Sequence, residues 1–143
     1  MRGELLAGWC AALLCAALVS GCRESAAGAL EERFGLSVPP GTKVEHFRCS
    51  GPGMDHADVW VLSPASGSLV RDLARAGGLA RVREGDNYSG GLRSADWPQW
   101  WPDRALDVLP VIYHGVDSTA KREYRRVWVD SAANRLYVQF FTT

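Results

Sequence analysis

The side chains best suited to chemistry crowd into one short stretch. His46, Cys49, Asp55, His56 and Asp58 flank the run Ser50-Gly51-Pro52-Gly53. A thiolate, imidazoles and carboxylates are ligands for zinc or copper. Gly-Pro-Gly is a strong turn signal, and a hairpin closed there would bring several of these groups near each other. The spacing fits no zinc finger or catalytic-zinc pattern, so no cofactor is expected. His46, Cys49, His56 and Asp58 remain the candidates if a metal is bound. Cys49 with His46 or His56 could form a thiolate pair, but nothing in the sequence supplies the rest of a nucleophilic site. No G-x-S-x-G occurs, the carboxylates are scattered, and no glycine run opens a helix as a phosphate loop does. Catalytic residues are therefore not assigned, and a non-enzymatic protein is expected.

Two further segments stand out. Trp97, Trp100 and Trp101 lie on a stretch stiffened by Pro98 and Pro102. Exposed, the rings could stack on sugars, grip a peptide or sit at a headgroup layer; buried, they would be a lid over the sheet. Lys121-Arg122-Glu123-Tyr124-Arg125-Arg126 is a basic run. It reads as a solvated strand charged against edge aggregation, with attraction to anionic lipid as the other reading.

These residues must be positioned by the elements around them. Val44 to Cys49 and Asp58 to Ser63 read as strands, the second rich in β-formers. In the first, Val44, His46 and Arg48 alternate with Glu45, Phe47 and Cys49. Leu69 to Ala76 reads as a helix capped by Ser66 or Ser68 and ended by Gly77-Gly78. Ala29 to Phe34 allows one or two helical turns before Gly35. An extended piece is expected at Leu79 to Val82, a loop from Arg83 to Ala95, and a single turn at Asp103 to Leu106. Val108 to Val116, Arg122 to Asp130 and Leu136 to Thr142 are the remaining strands. Asn134 suits a left-handed position between the last two. This order predicts an α+β fold: a mainly antiparallel sheet with one main helix packed on one face.

The chain has 143 residues, with 16 basic and 16 acidic side chains. A neutral chain gives no electrostatic reason to expect nucleic acid as a partner. Its first residues are different in kind. After a weakly charged start, Leu5 to Val19 is almost continuously apolar. About 15 residues is too short to span a bilayer, which takes roughly 20, and fits the core of a signal peptide. Val19-Ser20-Gly21-Cys22 follows at once. It resembles the lipobox of bacterial lipoproteins: an aliphatic residue, two small residues, then cysteine. The resemblance implies cleavage between Gly21 and Cys22 and diacylglycerol on the Cys22 thiol, usually with acylation of its amine. Two acyl chains anchor stably at about 0.8 kcal/mol per buried methylene. Ordinary cleaved secretion and an uncleaved anchor are the other readings.

The expected division is residues 1–21 as signal peptide, 22–28 as acylated cysteine and tether, and 29–143 as one domain. Roughly 120 residues remain after cleavage, enough to bury about two-thirds of the unfolded surface. Of the four cysteines, Cys10 and Cys15 leave with the leader and Cys22 takes lipid. Cys49 is then a lone thiol without an internal disulfide. It reads as a buried small hydrophobe, an intermolecular disulfide or reactive thiol, or a metal ligand.

Trp100-Trp101-Pro102, Tyr113 and the run from Arg126 to Val138 (R-x-W-V-D…N-R-L-Y-V) together resemble a loose pattern in uncharacterised small bacterial lipoproteins. The likeness covers about a third of the chain and implies an address and a common domain, with no activity attached. Arg23 after the lipobox, in place of aspartate, implies the outer membrane, with the domain facing the periplasm. The expected partners are the membrane, through Cys22, and an envelope protein or glycan, for which Trp97, Trp100 and Trp101 are the candidate contact surface. The alternative is an envelope enzyme or metal-binding protein using the Cys49–Asp58 region.

Overall fold

The computed structural model describes residues 25–50, 56–86, 97–117 and 122–143. Gly21, Cys22, Asp55 and Lys121 lie outside the described residues, as does most of the loop expected after Arg83.

Helix α1 (Ala26–Phe34) forms because both ends are satisfied. The Ser25 hydroxyl accepts the Gly28 N–H at 3.0 Å. Gly35 takes a left-handed conformation, φ 66°, and donates its N–H to the Glu31 carbonyl. The helix therefore starts inside the segment expected to be a tether. Strands β1 (Lys43–Cys49) and β2 (His56–Ser63) pair as the expected antiparallel hairpin. Helix α2 (Gly67–Ala76) follows, with Ser66 rather than Ser68 as its cap. Then come the short β3 (Ala80–Arg81) and the single turn α3 (Asp103–Leu106). Strands β4 (Ile112–Asp117), β5 (Glu123–Asp130) and β6 (Arg135–Thr142) complete the chain. The strand expected from Val108 starts only at Ile112. Pro110 lacks the N–H a ladder needs, and Val108 is exposed.

Among the described residues all pairings are antiparallel, and the six strands lie in the order β1-β2-β6-β5-β4-β3. The fold is α+β and sheet-dominated. One expectation changes: two helices, not one, pack on the same sheet face. Leu30 and Phe34 of α1 and Leu69, Val70 and Leu73 of α2 share a core with Trp60, Leu62, Val127, Val129, Leu136, Val138 and Phe140. One or two helical turns are expected before Gly35, but the caps and two large apolar residues make the stretch a second cover. The buried Trp60 ties it down: its indole N–H donates to the Ala26 carbonyl at 2.9 Å.

The opposite face has a different cover. Val59, Val61, Ile112, Trp128 and Tyr137 pack under Trp101 and Leu106, with Trp97 and Trp100 beside them. Trp101 meets Trp128 and Tyr137 edge-on at 6.0 and 5.8 Å between ring centroids. Trp101 is buried and Trp97 and Trp100 are half-buried. The tryptophan segment is thus a lid over the sheet, and Trp101 cannot serve as an exposed contact residue.

The basic run is also not an edge. β5 lies inside the sheet, between β6 and β4. Arg125 and Arg126 point to opposite faces, each over aromatic rings: Arg125 over Phe140 at 5.3 Å, Arg126 over Phe141 at 5.2 Å. The actual edges are β1 and the two-residue β3. At β1 the pairing skips Glu45, which is the extra residue of a bulge. The bulge overturns the simple alternation there: Val44 and Phe47, three residues apart, both pack toward the helices.

Candidate functional site

Strand parity decides which of the candidate residues meet. Along β2, Trp60 and Leu62 belong to the helix-covered core, and Val59 and Val61 to the other. His56 and Asp58 share parity with Trp60 and face the helices. Cys49, opposite Asp58 in the register and two residues beyond Phe47, points the same way. His46 falls on the far side of the sheet. Its ring stacks on Trp100, with centroids 4.9 Å apart and planes within 13°. Three of the four candidates therefore converge, and His46 is excluded. Asp55 lies outside the described residues.

The convergence is tight. One ligand atom each from Cys49, His56 and Asp58 lies within 4.8 Å of the others. Asp58 has no solvent exposure. Its Oδ2 contacts His56 Nε2 at 2.6 Å and accepts from Arg33 Nε at 3.2 Å. Its Oδ1 is buried and has no hydrogen-bond partner among the described residues.

Arg33 was not visible in the sequence as part of this group. It sits in the last turn of α1, 25 residues from Asp58, and no spacing rule links them. Its side chain is 16% exposed and also pairs with Glu32. Its guanidinium lies 5.4 Å from the Phe140 ring centroid, so Phe140 is flanked by Arg33 and Arg125. Arg125 donates from Nε to the Arg33 carbonyl at 2.7 Å and from Nη2 to Glu123 at 2.7 Å. This satisfies a carbonyl that the helix end leaves open. Arg33 thus locks the end of α1 onto the sheet beside the Cys49–His56–Asp58 group. Removing one partner of such a buried pair typically costs about 3–5 kcal/mol.

Cys49 is disulfide-bonded. The full chain thus pairs Cys49; the expectation of a lone thiol concerned the cysteines left after cleavage at Cys22. Its partner is not among the described residues. If it is Cys22, that sulfur cannot also carry diacylglycerol, because a thioether and a disulfide exclude each other. While bonded, Cys49 offers no thiolate, and the corner is limited to the ion-pair network of Arg33, Asp58 and His56.

A second polar group lies on the tryptophan-lid face. The buried Arg126 donates from Nη1 to the buried Gln139 at 3.5 Å and faces His114 across the β4–β5 pair. The His114 ring lies parallel to Tyr124 at 6.5 Å. Burial holds the His114 imidazole below the usual histidine range, and the Arg126 charge adds to this.

No helix among the described residues is long and apolar enough to cross a membrane. No protein-family model, no curated protein and no solved structure matches the chain.

Proposed function

We propose that this chain is the precursor of a bacterial envelope lipoprotein, anchored through lipid on Cys22 at the outer membrane. Its α+β domain serves a non-enzymatic role there, binding or supporting a partner at the membrane surface. The leader and the Val19-Ser20-Gly21-Cys22 run support the anchor. One observation supports the surface location. Helix α1 begins at Ala26 and is held to the sheet through Trp60, so only Arg23, Glu24 and Ser25 separate Cys22 from packed structure. Three extended residues span about 10 Å, so an anchored domain would rest against the headgroups rather than reach across the periplasm. Partner contact would then fall to surfaces that the lipid leaves open, with Trp97 and Trp100 as the partly exposed rings of the lid.

The test is the intact mass of the protein from the membrane fraction, beside Cys22→Ser. The expected mass is that of residues 22–143 plus acyl groups, with lipid lost in the variant. A cleaved chain without lipid, carrying a Cys22–Cys49 disulfide, would replace the anchor with a secreted domain.

A further inference from the structure

The corner formed by Cys49, His56 and Asp58 has no role in the function proposed above. Two independent observations there point to a cation. The first is the donor set: a sulfur, an imidazole and a carboxylate brought within 4.8 Å of one another by strand register and parity. The second is Asp58 Oδ1, a fully buried carboxylate oxygen with no hydrogen-bond partner among the described residues. Buried polar atoms are nearly always partnered, and an orphaned carboxylate oxygen beside a sulfur and an imidazole is what a ligand would satisfy.

We propose that Cys49, His56 and Asp58 form a Zn2+ site that opens when Cys49 is a free thiol. Sulfur, nitrogen and oxygen donors together suit zinc, with a fourth position left for water or a further ligand. Zinc bond lengths of about 2.0–2.3 Å at tetrahedral angles place donor atoms about 3.3–3.7 Å apart, so only side-chain rotations are needed. Asp58 would offer Oδ1 and keep Arg33 on Oδ2. The charges also close. The thiolate and the Asp58 carboxylate balance the ion, while Glu32 already pairs with Arg33.

The disulfide is the gate. A dithiol reductant breaks the S–S bond, each cysteine sulfur gains a proton, and the reductant becomes a disulfide. On metal binding the Cys49 proton passes to solvent.

The experiment uses the full chain, reduced with a dithiol under argon, freed of reductant and titrated with Co2+. Thiolate coordination appears as a charge-transfer band, which added Zn2+ should abolish. The expected result is one Co2+ per chain in reduced wild type, no band in the oxidised protein, and no band in Cys49→Ser. His56→Gln, a change at a less buried position, should weaken binding at least about tenfold. Circular dichroism of both variants separates lost binding from lost folding. No band in reduced protein with a titratable Cys49 thiol overturns the site. A band unchanged in Cys49→Ser, or present in oxidised protein, does the same. Intact mass taken on the same sample reports acylation separately: a chain without lipid that still binds Co2+ removes the anchor and leaves the site standing.

Discussion

Replacing Trp101 with alanine should destabilise the domain by about 3–5 kcal/mol, the usual loss for a buried aromatic ring truncated in a core. The ring is 5% exposed and packs against Trp97, Trp100, Trp128 and Tyr137. Alanine would leave a cavity above Trp128, which is itself fully buried and cannot follow the lid outward without breaking its pairing with Ile112 and Tyr137. Trp100→Ala is the matched control. Its ring lies at the rim, half-buried against His46, and its loss should cost less than half as much. Urea unfolding followed by far-ultraviolet circular dichroism separates the two. With a slope of about 1.5 kcal/mol/M, typical of a small domain, Trp101→Ala should lower the midpoint by about 2–3 M. A midpoint for Trp101→Ala within 0.5 M or so of wild type would refute the lid, because a core ring cannot be removed that cheaply.

Two further changes test other parts of the fold. Gly115→Ala should destabilise by about 1–3 kcal/mol, read as a lower melting temperature. Its Cβ would fall 2.7 Å from Leu79 Cδ2 and 2.9 Å from the Gly78 carbonyl oxygen, and the latter is backbone that cannot rotate away. Lowering the pH from 7 should destabilise the protein through His114. Its folded value is depressed from 6.5, so the unfolded chain binds the extra proton first. That stability is present above pH 6.5 and is lost as the pH falls from there through the depressed folded value. His114→Phe should flatten the slope below pH 6.5, and an unchanged slope would count against this assignment. Glu45 acts only lower down. The Ser63 hydroxyl, with Arg135 behind it, outweighs desolvation and holds its carboxyl below 4.5, so its contribution is lost as the pH falls below that value.

Much of the architecture was legible because local rules carry it. Alternating β-formers marked β2, β5 and β6, Ser66 and Gly77 bracketed α2, and Asn134 does take the left-handed turn, φ 54°. The misses have physical causes. The short stretch before Gly35 became a full helix because Trp60 and Phe34 pack it down, and packing outweighs length. Arg125 and Arg126 read as surface charge because composition does not say whether a strand is central. The bulge at Glu45 changed which β1 residues share a face, and no residue in Val44 to Cys49 signals it.

For the candidate site, the sequence by itself determined the inventory: which side chains can hold a metal, and that two of their segments read as strands able to pair. Local composition and turn preference are enough for that. Only the tertiary structure decided the membership. A side chain's face depends on strand parity and on a single inserted residue, so Cys49, His56 and Asp58 meet while His46 goes to Trp100. Arg33 joins from a helix far away in the chain because contacts between layers follow from packing, which sequence distance does not encode.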